Sequence, residues 1–116
     1  MNVPWWLPFG RVPELSARDL HAQLAAGVRV QLLDVRTGAE YAGGHLDGAR
    51  NVPITSLHAA VAELDLDRSV RVVAICLSAH RSPPAVRLLR SHGYDAVQLR
   101  GGMLAWRLAR LPEVKG

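Results

Sequence analysis

The chain has 116 residues, of which 49% are hydrophobic and 21% charged, enough apolar surface for one packed domain and too much for a disordered chain. Its single cysteine excludes an internal disulfide framework and a cysteine-rich zinc cluster. The net charge is +4, but the basic residues, all arginine except Lys115, are dispersed without a cluster or an interleaved aromatic platform. That argues against a nucleic-acid surface and for a basic exterior suited to small anions.

The first residues, MNVPWWLPFG, are apolar but lack a basic leader, carry two prolines and lead to no small-residue cleavage site, so a cytoplasmic location is expected. No apolar run is long enough to span a bilayer, and no membrane partner is expected. Residues 1–11 read as an apolar extension and residues 12–116 as a single domain. Trp5, Trp6, Leu7 and Phe9 are expected to pack on that domain or on a second copy, which leaves a homodimer open.

Val12 to Leu15 is a short candidate strand. Ser16 to Asp19 has the spacing of a capping box, with Leu15 and Leu20 placed as a hydrophobic staple, and the helix it opens should end near Gly27. Val30 to Val35 reads as a buried strand. Thr37 to Glu40 is a second capping box, opening a short helix that Gly43 and Gly44 stop. Ala49 to Val52 is a short strand ended by Pro53. Thr55 or Ser56 is expected to cap a helix to about Leu64, with Leu57, Val61 and Leu64 on one face.

Val70 to Cys76 is the most buried-looking strand, β-branched and nearly continuous. Ser82 as N-cap and Pro83 at the first helical position start the next helix, which buries Ala85, Val86, Leu88 and Leu89 and stops at Gly93. Ala96 to Leu99 is the last strand, and Gly101 and Gly102 lead into a helix through Trp106 and Leu108. Strands alternate with helices and look buried on both faces, the pattern of an α/β fold with an open, mostly parallel sheet. In such sheets ligands bind beyond the carboxyl ends of the strands.

Cys76, Leu77, Ser78, Ala79, His80 and Arg81 occupy one such position, between a buried strand and a helix N-terminus. A tight loop there gathers backbone N–H groups into an anion-binding nest. The following helix adds its unpaired amides and the positive end of its dipole, and Arg81 adds a permanent cation. All three favour a thiolate. A free cysteine is only about 3% ionised at pH 7, whereas one titrating about two pH units lower is about three-quarters ionised. From position alone, a reactive cysteine and an inert buried one are both open.

The segments around this loop resemble the rhodanese family of sulfurtransferases. LLDVR at 32–36 is followed by Glu40 and Tyr41, then GHLDGARNVP at 44–53, VVAIC at 72–76, Arg81 with Ser82, and HGYDAVQLRGGMLAW at 92–106. The order and spacing hold from about residue 13 to 108. The resemblance implies an open sheet of five mostly parallel strands flanked by helices. It also implies that Cys76 takes a sulfane sulfur from a donor such as thiosulfate, carries it as a persulfide and passes it to cyanide or a thiol, with no cofactor. Residues Leu77 to Ser82 would cradle the persulfide or the donor's oxyanion, with Arg81 holding the loop.

From Cys76 to Arg81 the loop has one residue fewer than the loop of phosphatases with this fold, so phosphatase or arsenate reductase activity is a minor alternative. Leu77 stands where many relatives have arginine, and Ala79 where they have glycine. These departures remove a cation and a residue tolerant of positive φ, which keeps a non-enzymatic binding or regulatory module as the main rival. His80 reads either as a compensating part-time cation or as a solvent-facing loop residue.

Asp34 and Arg36 follow the second strand and are read as supporting residues that hold loops, with Arg36 and Glu40 as an i,i+4 pair. His45 matches an architectural position. Cys76 and His80 have no third ligand near them, so no metal site is expected. Trp106 is read as core or pocket wall, and Gly101 with Gly102 as the freedom for a tight turn. With no second thiol, a persulfide on Cys76 must pass its sulfur to an outside acceptor: cyanide, a small thiol or a protein thiol.

Overall fold

The computed structural model describes residues 4–5, 10–78 and 81–116. Five strands form one sheet: β1 (Glu14–Leu15), β2 (Gln31–Asp34), β3 (Arg50–Asn51), β4 (Val72–Ile75) and β5 (Ala96–Leu99). Their order across the sheet is β1-β5-β4-β2-β3, and every neighbouring pair is parallel. Among the described residues five α-helices flank it: α1 (Ala17–Ala25), α2 (Gly38–Gly43), α3 (Ile54–Ala60), α4 (Ser82–Ser91) and α5 (Gly102–Leu108).

Side chains of successive strand residues point to opposite faces, and each face here has its own core. Leu33, Val72, Ala74, Cys76 and Ala96 pack with Leu57 and Val61 and with Ala85, Val86, Leu88 and Leu89 of α4. Leu32, Val73, Ile75, Val97 and Leu99 pack on the other face with Leu20, Met103 and Trp106. Both faces are covered, so β4 and β5 are buried throughout. Full burial of an aliphatic side chain such as Leu33 or Ile75 contributes about 1.5–3 kcal/mol.

The helix starts follow local chemistry. Ser16 accepts a hydrogen bond from the Asp19 amide, and Leu15 and Leu20 meet in one cluster. At α2 the capping box is complete: Thr37 Oγ1 accepts from the Glu40 amide and Glu40 accepts from the Thr37 amide.

Two expected starts shift. α3 begins at Ile54 with Pro53 as N-cap, not at a Thr55 or Ser56 cap, because the Ile54 N–H is already taken by the Val35 carbonyl at 3.0 Å. It passes into a 3-10 turn at Val61–Glu63. α4 begins one residue early: Arg81 is the N-cap and Ser82 is inside the helix, its hydroxyl engaged elsewhere. Leu108 ends α5 facing solvent, 85% exposed.

Of the apolar extension, Trp5 stacks on His58 with ring centroids 5.0 Å apart and packs against the α3–α4 core. Trp6, Leu7 and Phe9 lie outside the described residues. No described helix is long and apolar enough to cross a membrane.

Candidate active site

Because the sheet is parallel, the segments leaving β2, β4 and β5 emerge at one edge. β4 is the central strand, flanked by β2 and β5. The topology therefore gathers Asp34 and Arg36, the segment after Cys76, and Gly101 with Gly102 at one place.

Cys76 is fully buried at the end of β4. Its Sγ donates to Ser82 Oγ at 3.4 Å, and Ser82 donates to Gln98 Oε1 at 2.7 Å. Ser82 is itself fully buried, like the sulfur that donates to it. Leu77 and Ser78 are half-buried, while Ala79 and His80 fall outside the described residues.

The helix after β5 shapes the loop. The amides of Met103 and Leu104 donate to the carbonyls of Cys76 and Leu77 at 2.8 and 2.9 Å. In a planar trans peptide the N–H points opposite the C=O. The N–H groups of Leu77 and Ser78 are thereby turned away from α5. Gly102 makes this approach feasible. It has φ +58°, and a Cβ there would lie 2.3 Å from the Cys76 carbonyl oxygen. Gly101, with φ +70°, makes the preceding turn.

Two carboxylate–arginine pairs flank the loop. Asp34 and Arg36 are buried together, with Arg36 Nη2 at 2.8 Å from Asp34 Oδ2 and Nε at 3.0 Å from Oδ1. Arg36 Nη2 also donates to the Gly44 carbonyl at 2.7 Å, and the Arg36 amide donates to Asp34. The expected Arg36–Glu40 pair is not formed. Asp34, two residues before Arg36 and buried beside it, takes the guanidinium instead. Glu40 turns to Arg81, a fork of two hydrogen bonds at 2.5 and 2.9 Å. That contact, followed by hydrogen bonding to Thr37, holds the Glu40 carboxyl down to about 2. The same bond raises Arg81 further above its ordinary value. Arg81 thus clamps the loop to α2, and Glu40 offsets part of its positive potential.

His45 is architectural: its ring stacks on Tyr41 at 3.7 Å, its Nδ1 lies 2.7 Å from the Tyr41 carbonyl, and its backbone bridges to Val114. Trp106 is core, donating to the Pro112 carbonyl at 2.8 Å.

Sequence reasoning passed over Gln98 and assigned Glu40 to the wrong arginine. A signal for Gln98 was present: it is the one polar residue of the strand AVQL, whose four residues are all buried, and a buried amide needs partners.

The model of the rhodanese-like domain matches residues 16–109. The chain belongs to the rhodanese-like domain family. It is 38% identical over 104 residues to a sulfurtransferase of Allochromatium vinosum, covering 89% of this chain and 95% of that protein. It is 46% identical over 104 residues to an HTH-type transcriptional regulator of Mycobacterium tuberculosis, covering 88% of this chain but only 45% of the regulator. A rhodanese-related protein of Thermoplasma volcanium has the same fold, with a TM-score of 0.79 and 29% identity over 89% of this chain and 98% of that one. The family to which this rhodanese-like chain belongs thus includes named sulfurtransferases.

Proposed function

We propose that this rhodanese-like chain transfers sulfane sulfur through Cys76. The observation that carries the reading is the placement of the chain's one thiol. It ends the central strand, at the base of a six-residue segment closed by Arg81 and pinned by α5. Identity to a named sulfurtransferase over nearly the full length of both chains supports it.

In the proposed reaction the Cys76 thiolate attacks the outer sulfur of thiosulfate. The S–S bond of the donor breaks and sulfite leaves with the electron pair. The resulting Cys76 persulfide is attacked at its outer sulfur by cyanide or an external thiol. That step forms thiocyanate or a new persulfide and returns the Cys76 thiolate. Electrons balance without an added oxidant or cofactor. The loop amides and Arg81 would serve the donor's oxyanion and the anionic persulfide. The setting proposed is cytoplasmic, and the proposed domain runs from residue 12 to 116.

Intact mass after thiosulfate treatment tests this. The expected adduct is about 32 Da, lost with dithiothreitol and absent from Cys76→Ser. No adduct from any sulfane donor overturns the reading.

A second reading, a regulatory module that carries a sulfur signal without turnover, draws on the identity to half of a transcriptional regulator. Thiocyanate production with excess cyanide separates the two: multiple turnovers support the enzyme, and a single stoichiometric adduct supports the module.

A further inference from the structure

A line of hydrogen bonds runs from Cys76 across the sheet to its far edge. Cys76 Sγ lies 3.4 Å from Ser82 Oγ, Ser82 Oγ 2.7 Å from Gln98 Oε1, and Gln98 Nε2 3.1 Å from Glu14 Oε2. Arg100 Nε completes it, donating to Glu14 Oε1 at 2.9 Å. The register explains the geometry. Glu14 of β1 stands opposite Gln98 of β5, and Gln98 projects from the strand face that also carries Ala96, towards the first turn of α4.

The direction of every bond in this line is set from its far end. Glu14 is held as a carboxylate, its carboxyl lowered chiefly by the Arg100 hydrogen bond and further by Gln98. A carboxylate only accepts, so the amide of Gln98 must turn its N–H group to Glu14. That leaves the amide oxygen facing Ser82, which must donate its one hydroxyl proton. Ser82 Oγ then offers the sulfur only a lone pair, a partner for S–H and not for S⁻.

We infer that Gln98, oriented by Glu14, is a positioning residue that withholds the Ser82 proton from the Cys76 sulfur. For Ser82 to donate to an ionised sulfur, its hydroxyl must turn towards it and leave Gln98. The inference deepens the reading of Cys76 as nucleophile but does not need sulfur transfer to occur.

The charged groups around Cys76 are not altered by changing Gln98. Arg81 acts on it from the start of α4, paired with Glu40 of α2, and the Asp34–Arg36 pair lies at the end of β2. α5 presents backbone amides to the loop. Arg11 and Arg100 act on Glu14 at the far end, beside a cavity of about 490 Å³ lined in part by Arg11, Glu14 and Gln98.

The test is the thiolate absorbance in the ultraviolet as a function of pH, unambiguous because the chain has one cysteine. In Gln98→Leu the freed Ser82 proton can donate to the sulfur. The midpoint is expected to move to lower pH, with the thiolate fraction at pH 7 rising about three- to tenfold, the scale of one ordinary hydrogen bond. Glu14→Gln releases the amide to flip and is expected to act in the same direction more weakly. This variant decides the matter if Gln98→Leu does not fold. In a Ser82→Ala background, neither change is expected to move the midpoint further. An unchanged midpoint in the folded variants, or a shift that persists without the Ser82 hydroxyl, overturns the inference. A failed mass adduct with thiosulfate leaves this result untouched, so the two readings fail separately.

Discussion

The two carboxylate–arginine pairs beside Cys76 use the same chemical groups for different ends. Asp34 and Arg36 are two residues apart in sequence and essentially without solvent contact. Glu40 and Arg81 are 41 residues apart, and their side chains remain 28% and 30% exposed. The first pair is sealed into the sheet edge, with additional bonds to the Arg36 amide and the Gly44 carbonyl satisfying its remaining positions. The second joins two separate elements, α2 and the start of α4, at the rim of the site. Burial decides the difference. A sealed charge cannot lose its partner without a large penalty, whereas a half-exposed one can fall back on water.

Breaking the sealed pair should have the largest effect. Asp34→Ala leaves the Arg36 guanidinium buried and unpaired, with an expected loss of about 3–5 kcal/mol in urea unfolding. A loss no larger than that of a surface variant would mean that water reaches Arg36. Next in size is Gly102→Ala, on the α5 side of the loop. The added methyl meets the Cys76 carbonyl at a backbone of positive φ. About 1–3 kcal/mol of destabilisation is expected, together with changed Cys76 alkylation as the loop is displaced. Wild-type stability combined with wild-type alkylation would contradict the packing.

The rim pair should respond to acid. The Glu40 carboxyl lies below its ordinary 4.5, at about 2, mainly through the Arg81 hydrogen bond. Its contribution is therefore complete above about pH 4.5 and is lost as pH falls towards 2. Discounted for partial exposure, it should amount to about 1–2 kcal/mol. Urea midpoints measured across that window in Glu40→Gln and the unsubstituted protein should converge at the acid end. Parallel curves would argue that the pair is not formed in solution. The smallest effect belongs to a pair of exposed side chains. Arg71→Ala, which removes a bond to Asp95 between two exposed side chains, is expected to change stability by about 0.5 kcal/mol or less. This variant supplies the baseline for the other three.

Much of the architecture was legible in the residues because its causes are local. The N-cap at Ser16, the capping box at Thr37, the glycine after α1 and the continuous β-branched run before Cys76 each act over a few positions, and each lies where expected. Alternation of strands and helices was enough to imply the parallel sheet. The misplacements have one cause. Ser82 looked like an N-cap by residue type, but its hydroxyl is claimed by Gln98 from another strand. Thr55 and Ser56 looked like caps, but the Val35 carbonyl had already satisfied the first amide of α3. Glu40 had arginines available at 36 and 81, and spacing favoured the nearer one. Only the packed fold shows that Asp34 occupies it.

The sequence by itself determined the α/β class, the family resemblance, and Cys76 with the loop to Arg81 as the place to look for chemistry. Periodicity, caps and a lone thiol at a strand end are written in neighbouring residues. The tertiary structure decided what surrounds that thiol: α5 holding the loop carbonyls, Arg81 spent on Glu40, and Ser82 facing Gln98 and through it Glu14. Hydrogen bonds have direction and each group has few of them. Which partner wins depends on burial and on what the competing group is already bonded to, and neither is fixed until the strands are paired.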